Sequence, residues 1–371
     1  MGRSQAMEAQ KRREQQQGIN WSDLSARIRK GLIIPIVGNG VFNDLLFPQP
    51  EEKLRELESG RENLLGWSVE EFLSHKWAES IHYPLPESHV LSRVALFDRV
   101  VNSYDDMQAK GRYFDWLKEF LIKQAESDKS NDLDRVAELK DEMGVSTLSY
   151  LAAELGYPRL ADGATNPLDF LAKLNLPIYL TTSPYDLLER AILANDRQPR
   201  TQICFWRGTE PLRWEDETHK PDNNFYPNVD QPLVYHVFGH ELYPESIVLS
   251  EDDHLDFLSA LAKDHNATQP ILPPRLRAFI TQSSLILLGY RLRDADFRVL
   301  FRGLINSTPD AKRPYSLAIQ VDPRARGAIV STEALINYIT TYMSESKFTI
   351  AWQSPAEFVE TMWEEFNQWR R

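Results

Sequence analysis

A chain of 371 residues is long for a single compact core, so the length predicts one large domain with an insertion, or two modest domains. Its 42 basic and 54 acidic side chains leave a formal charge of −12, which disfavours non-specific binding of nucleic acid. A single cysteine, Cys204, excludes a disulfide within the chain and a multi-cysteine zinc site, which favours a cytoplasmic protein. No apolar run approaches the ~18 residues that a membrane helix needs, so no membrane partner is expected.

The first 18 residues are rich in Arg, Glu and Gln and hold few apolar side chains. This composition predicts a disordered N-terminal arm. The alternative is an arm that becomes helical against another subunit.

The chain then enters its first regular elements. Trp21, Leu24 and Ile28 predict a short helix, and the apolar run at residues 32–37 predicts a strand buried on both faces. From about residue 45 to residue 171, apolar residues recur at helical spacing, which predicts a helical module inserted after this strand. Within it, the charged stretch 123–143 is expected to be a solvated helix or a mobile loop.

The rest of the chain alternates predicted strands with predicted helices. Strands are expected at residues 176–182, 233–238, 284–289, 315–321 and 348–353, and helices at 185–193, 255–262, 297–305 and 355–370. This order predicts an α/β fold, a Rossmann-like doubly wound sheet of mostly parallel strands, over residues 19–330. The strand and amphipathic helix within residues 331–371 are expected to pack on this domain or to serve oligomerisation.

Ligands of such sheets bind outside the carboxyl ends of the strands, so the residues that follow each strand are candidates. Gly38, Asn39 and Gly40 follow the first strand, where glycine lets the backbone approach a phosphate. The pattern GxGxxG is incomplete, because Asn43 stands at the third glycine position. An ordinary strand-ending turn is therefore the alternative.

The second strand end combines hydroxyl groups with a carboxylate. Thr181, Thr182, Ser183 and Asp186 are residue types that suit the hydroxyl groups of a ribose. Ser183 as a helix cap, with Pro184 at the first helical position, explains part of the same segment.

Two histidines lie at the end of the strand at 233–238. Alternation along a continued strand places His236 and His240 toward one side, which suggests catalysis. Hydrogen-bonded core histidines are the alternative. A metal site is less attractive, since no HExxH or similar spacing occurs nearby.

Further candidates follow the later strands. Gly289 and Tyr290 end one strand, and Asp294, Asp296 and Asp322 are carboxylates able to accept from ribose hydroxyls. Helix capping by Asp294 or Asp296, and an Asp-Pro turn at Asp322, are the alternatives.

The order of these motifs resembles the prokaryotic sirtuin-like NAD-hydrolase domains of anti-phage defence systems, over about residues 31–322. The resemblance implies a Rossmann-like domain with a helical module that binds NAD+ as a substrate, without zinc. It also implies cleavage of the nicotinamide–ribose bond and depletion of cellular NAD+ upon infection. Relatives commonly form large oligomers, often with a HerA-type ATPase or an Argonaute-like partner.

The resemblance assigns Gly38 and Gly40 to the NAD phosphates, Asp186 to the family's conserved acid, Gly289 to the adenosine half and Asp322 to the adenine ribose. Two positions depart from the family. Ser183-Pro184 replaces an asparagine that contacts the nicotinamide ribose, and Phe238-Gly239 replaces a His-Gly pair. His236 is the best substitute for that histidine, and His240 is the second.

These observations lead to two hypotheses. In the first, the chain is an NAD+ hydrolase in which His236 acts as base, Asp186 orients it or stabilises the cationic sugar, and Asn39 and Ser183 position the ribose. The inserted helices would cover the nicotinamide end. In the second, the two departures have removed catalysis, and the chain is a regulatory or scaffold subunit that binds NAD+ or ADP-ribose. Protein deacylation is disfavoured, since one cysteine cannot build the four-cysteine zinc module of the deacylases.

Overall fold

The computed structural model describes residues 19–47, 68–160, 165–208, 211, 213–222, 225–264, 271–292, 295–305, 314–320 and 331–368. The predicted N-terminal arm, residues 1–18, lies outside them. The strands are β1 (Ile33–Val37), β2 (Ile178–Thr181), β3 (Arg200–Ile203), β4 (Leu233–His236), β5 (Ser284–Leu288), β6 (Ser316–Gln320) and β7 (Phe348–Trp352).

Helices precede, separate and follow these strands. They are α1 (Trp21–Arg29), α2 (Asn39–Leu46), α3 (Val69–Ser80), α4 (Leu91–Val101), α5 (Asp106–Ser127), α6 (Leu133–Glu142), α7 (Leu148–Glu154), α8 (Pro167–Lys173), α9 (Leu187–Leu193), α10 (Glu251–Asp264), α11 (Pro274–Gln282), α12 (Ala295–Leu300), α13 (Thr332–Ser344) and α14 (Pro355–Gln368). A π-helical turn, Phe301–Ile305, continues α12.

The strands form one parallel sheet in the order β3-β4-β2-β1-β5-β6-β7. On one side of β1 the chain adds β2, then the edge strand β3, and then β4 between β2 and β3; on the other side it adds β5, β6 and β7 in order. The change of direction therefore falls between β1 and β5, where open α/β sheets leave a crevice for ligands. The predicted α/β, Rossmann-like fold class is confirmed.

Burial on both faces of the sheet explains the continuous apolar runs of the strands. Ile33 and Val37 of β1 belong to one apolar cluster, whereas Ile34 and Ile36 belong to the other. Helices α1–α9 and α14 supply the first cluster, and α10–α13 supply the second. Alternate side chains of each strand thus enter different layers.

Helices α3–α8 lie between β1 and β2 in the chain. Two of them begin with capping boxes, Ser68 with Glu71 at α3 and Asp105 with Gln108 at α5. The charged stretch 123–143 comprises the end of α5 and α6, so its described part is largely helical rather than a loop. The side chains of Val136 and Leu139 form the buried, apolar side of α6.

At the C-terminus, β7 is an edge strand and α14 packs against α1 and α8. The rings of Trp21 and Phe358 lie 5.9 Å apart, and those of Phe170 and Trp363 lie 6.2 Å apart. Packing within the chain accounts for these aromatic side chains. A role of α14 in oligomerisation stays a prediction. None of the described helices is both long and apolar enough to cross a membrane.

Candidate functional site

The loops after β1 and β5 touch closely at the change of direction in the sheet. A Cβ added to Gly40 would lie 2.6 Å from the carbonyl oxygen of Gly289, and one added to Gly38 would lie 2.9 Å from it. Gly289 has a φ of +74°, and an added Cβ there would lie 2.5 Å from Cγ2 of Val41. The close contact between the two loops therefore explains why glycine stands at these three positions, without any bound ligand. Binding of phosphates by Gly38 and Gly40 stays a prediction.

The hydroxyl groups after β2 build a tight turn. Thr181 donates from Oγ1 to the carbonyl of Val37 at 3.0 Å and accepts from the amide of Ser183 at 2.9 Å. Thr182 Oγ1 lies 3.0 Å from the hydroxyl oxygen of Tyr290. The structure thus joins Thr182 and Tyr290 across β1, whereas Thr181 and Ser183 are buried within the turn.

A narrow cavity of about 50 Å³ lies at the carboxyl ends of β1, β2 and β4. The cavity is lined from three directions. The strand ends contribute Asn39, Thr182, Pro184, Tyr185 and Phe238, and the inserted helices α3, α4 and α5 contribute Glu70, Leu91, Ser92, Tyr113 and Phe114. Ile247, Val248 and Leu249 come from the segment before α10, and His254 comes from α10 itself. The inserted helices therefore share the cavity with the sheet.

Three polar groups give this cavity its chemistry. Oδ1 of Asn39 is buried and has no hydrogen-bond partner among the described residues, which leaves an acceptor for a donor group of a ligand. Glu70 is the one carboxylate among the described lining residues, and His254 is the one imidazole. The remaining walls are mostly apolar or aromatic, as in small-molecule sites.

Two ion pairs connect the inserted helices to the strand side of the cavity. Arg291, after β5, pairs with Glu71 of α3. Lys110 of α5 lies 3.4 Å from Asp253 of α10, and both side chains are buried. Burial lowers the pKa of Lys110 despite the nearby carboxylates of Asp253 and Asp106. These pairs hold α3 against the loop after β5, and α5 against the first turn of α10.

His236 is fully buried and engaged at both ring nitrogens. Nδ1 lies 2.9 Å from the Ser183 carbonyl oxygen, and Nε2 lies 2.8 Å from Oε1 of Glu189 on α9. Burial alone would lower the pKa of His236, but the Glu189 carboxylate and the Ser183 carbonyl raise it above its ordinary value. Burial likewise opposes the charge of Glu189, yet His236 holds the pKa of that carboxyl below its ordinary value. Both ring nitrogens of His236 face acceptor oxygens, so the protonated ring donates twice and has no site left to accept a proton.

His240 lies beside His236, with ring centroids 4.7 Å apart. Its Nδ1 accepts from the amide of Leu242 at 3.2 Å. Burial, together with His236 and His219, lowers the pKa of His240 well below its ordinary value. His240 is therefore neutral and enclosed, and neither it nor His236 is among the described cavity-lining residues.

Asp186 forms an ion pair with Arg190 one helical turn later, with Nε 2.6 Å from Oδ1. Its amide donates to Ser149 Oγ at 3.1 Å, and Ser149 in turn donates to the carboxylate of Glu241. Burial raises the pKa of Glu241 to about 7, although amides of Leu148 and Ser149 donate to it. Asp186 thus links α9 to α7 and is not among the described lining residues.

The structure brings only some of the expected site residues together. Asn39 and Thr182 line the cavity, and Tyr290 contacts Thr182. Four other candidates are not among the described lining residues and instead contact the surrounding protein: Ser183, Asp186, His236 and His240. Asp294, Asp322 and the side chain of Asp296 lie outside the described residues. Catalytic roles of these four residues stay predictions. A role of His236 as a base would require its pair with Glu189 to be broken, because that pair occupies Nε2.

Four acid–base residues were missed by sequence reasoning: Glu70, Glu189, Glu241 and His254. The sequence does contain a signal for Glu189, because this acidic residue lies among Leu187, Leu188 and Ile192 on the apolar side of a predicted helix. His254 lies at the start of a predicted helix, where nothing in the local pattern separates a cavity residue from a solvated one.

A comparison with protein families finds a similarity in the second half of the chain. The family model described as the SIR2-like domain matches residues 177–341, just under half of the chain, from the start of β2 into α13. No curated protein matches the sequence. Within the described ranges, no group of three or more His, Cys, Asp or Glu side chains is arranged to hold a metal ion. The matched segment supplies Thr182, Pro184, Phe238 and His254 of the cavity. Residues 177–341 are accordingly matched as a SIR2-like domain, a class of domain that binds NAD+ and is in general an NAD-dependent enzyme.

Proposed function

We propose that the chain is an NAD+ hydrolase, which cleaves the bond between nicotinamide and ribose to give nicotinamide and ADP-ribose. The observation that carries the proposal is the cavity at the carboxyl ends of β1, β2 and β4, to which the matched SIR2-like segment contributes eight of the fourteen described lining residues. Ligands of doubly wound sheets bind at this edge.

The chemistry of the bond explains why such a cavity is suited to its cleavage. Breaking the C1′–N bond develops positive charge on the ribose, while the nicotinamide leaves as a neutral ring. The carboxylate of Glu70 in the cavity wall would stabilise that charge, and the buried Oδ1 of Asn39 would accept from a ribose hydroxyl. The aromatic side chains of Tyr113, Phe114 and Tyr185 reduce the access of bulk water.

In this proposal His236 is a positioning residue. Its hydrogen bond to the Ser183 carbonyl and its pair with Glu189 fix the turn that carries Thr182 and Pro184 into the cavity. Asp186 has a similar role through Arg190 and Ser149.

The test is incubation of the purified chain with NAD+, with chromatography for nicotinamide and ADP-ribose. Asn39→Ala removes the buried acceptor, and we expect it to lower kcat/KM about tenfold, the effect of one hydrogen bond. The matched control is Asn195→Ala, whose amide bonds the Ala191 carbonyl on α9 and which is not among the described lining residues. Equal rates for both variants would contradict the assignment of the cavity.

A second candidate function is binding of NAD+ or ADP-ribose without turnover. It is favoured by Phe238, which has no proton to exchange, and by the enclosed state of His236 and His240. Calorimetry with NAD+ and with ADP-ribose decides between the two, because binding without release of nicotinamide supports the second function.

We further propose that the chain acts in the cytoplasm, in anti-phage defence, as a homo-oligomer regulated by an ATPase of HerA type. This proposal rests on the resemblance in motif order, and on the need to keep a hydrolase of NAD+ inactive until infection. Light scattering on the purified chain, alone and with the ATPase of a neighbouring gene, tests the assembly. Nicotinamide release measured in both samples tests the regulation.

A further inference from the structure

The position after β4 holds a phenyl ring where the resemblance expects a base. Phe238 lines the cavity, and a phenyl group has no atom that takes up a proton. The ring of His254 meets that of Phe238 edge to face, with centroids 5.7 Å apart and planes at 89°. An imidazole on α10 thus lies directly beside the position that Phe238 occupies.

The backbone of α10 fixes the proton of this imidazole. Nδ1 of His254 lies 2.8 Å from the Ser250 carbonyl oxygen, which only accepts hydrogen bonds. A neutral ring therefore carries its proton on Nδ1, and Nε2 is the basic nitrogen. The Ser250 carbonyl on Nδ1 also orients the ring.

The first turn of α10 is held firmly. Oδ2 of Asp253 accepts from the amides of Leu249 and Ser250 at 3.1 and 2.9 Å, and the hydroxyl of Ser250 accepts from the amide of Asp253. Arg207 donates to Oδ1 of Asp253 at 2.7 Å. His254 follows Asp253 directly, so this network fixes its place at the cavity.

We propose that His254 is the general base of the reaction and that Glu70 stabilises the sugar cation. The inference rests on the proposed hydrolysis of NAD+. As the C1′–N bond breaks, its electron pair leaves with the nicotinamide nitrogen. The water oxygen forms the new bond to C1′, and the water proton passes to Nε2 of His254 and then to solvent. Phe238 packs against the base and keeps the cavity apolar.

The test compares two substitutions of His254 with a matched control. His254→Asn retains a donor near the Nδ1 position for the Ser250 carbonyl, and His254→Gln retains an amide near the Nε2 position, but neither side chain is basic. We expect both to lower kcat at least about 100-fold, the lower end of the range for general-base catalysis. His82→Asn changes an exposed histidine with a positive φ, and it should leave kcat unchanged. Thermal unfolding of each variant checks the fold.

A second measurement does not depend on turnover. NMR of the histidine ring signals in the wild-type chain should show that the His254 signals shift when ADP-ribose is added, whereas those of His82 stay in place. A kcat of His254→Asn within about threefold of wild type, or His254 signals unmoved by bound ADP-ribose, overturns the inference. Release of no nicotinamide by the wild-type chain, alone and with its ATPase, contradicts the proposed hydrolysis, and the base role fails with it. The NMR result then shows separately whether His254 contacts the nucleotide.

Discussion

Nε2 of His236 lies 2.8 Å from a carboxylate oxygen of Glu189, and this ion pair is sealed between β4 and α9. The second ring nitrogen of His236 bonds the Ser183 carbonyl, so one buried imidazole joins α9 to the turn after β2. A residue type that suggested a base at the sequence level is thus used to fix the geometry of a cavity wall.

Removing the charge from this pair should destabilise the protein. Glu189→Gln replaces a charge-assisted hydrogen bond, and we expect a loss of about 1.5–3 kcal/mol in the free energy of unfolding near pH 6. Glu138→Gln, which breaks an exposed pair with Arg135, should cost less than about 1 kcal/mol. Urea unfolding followed by circular dichroism measures both, and equal losses would contradict the assignment.

The same pair sets a pH window. The raised pKa of His236 gives a stabilising contribution that is complete below its ordinary value of 6.5 and is lost as the pH rises through the folded value. The lowered pKa of Glu189 gives a contribution that is complete above 4.5 and is lost as the pH falls through the folded value. The stability difference between wild type and Glu189→Gln should therefore be greatest between pH 4.5 and 6.5. A difference that stays constant from pH 4 to 9 would argue against the ion pair.

Glu241 should make the stability of the protein depend on pH near neutrality. Burial raises its pKa from 4.5 to about 7, so the stability that it contributes is complete below pH 4.5 and is lost as the pH rises through 7. The free energy of unfolding of Glu241→Gln should therefore vary less between pH 4.5 and 7 than that of the wild-type protein. A carboxyl titration observed by 13C NMR near pH 7, absent from the variant, would identify the group directly. If the signal titrates near pH 4.5, the side chain is not buried as described.

Sequence periodicity was sufficient for most of the fold, because burial on both faces makes the strands continuous apolar runs. It missed β3, an edge strand of the sheet in which Arg200 and Gln202 interrupt the apolar pattern. The cavity was harder to predict. Asn39 and Thr182 were found because they follow strands, whereas Glu70 and His254 come from helices whose approach depends on tertiary packing. Local pattern likewise could not show that Glu189 pairs with His236, 47 residues away in the chain.

The contact between the loops after β1 and β5 predicts that replacing Gly289 by alanine destabilises the protein, whereas the same change at Gly111 does not. Gly289→Ala places a Cβ 2.5 Å from Val41 at a φ of +74°, and we expect a loss of roughly 2–4 kcal/mol from backbone strain and overpacking. Gly111 lies inside α5 with no atom within 4 Å of an added Cβ, so Gly111→Ala should stabilise by about 0.5–1 kcal/mol. Thermal unfolding measures both changes, and a neutral Gly289→Ala would contradict the close contact.

The single thiol should be inert in the folded protein. Cys204 is fully buried, and burial raises the pKa of its thiol to about 12. Because the thiolate is the reactive form, labelling by a thiol reagent at pH 8 should proceed only as fast as the protein unfolds. Addition of urea should therefore accelerate labelling in parallel with the loss of structure. Complete labelling of the native protein within seconds would show that Cys204 is accessible.

The central claim is that the cavity at the ends of β1, β2 and β4 is where NAD+ is cleaved. The most direct measurement is a time course of NAD+ with the purified chain, in the presence and absence of the proposed HerA-type ATPase, in which nicotinamide and ADP-ribose are quantified by chromatography. We predict that the two products appear in equal amounts as NAD+ disappears. Intact NAD+ in both samples, under conditions in which calorimetry shows NAD+ bound to the chain, would contradict hydrolysis.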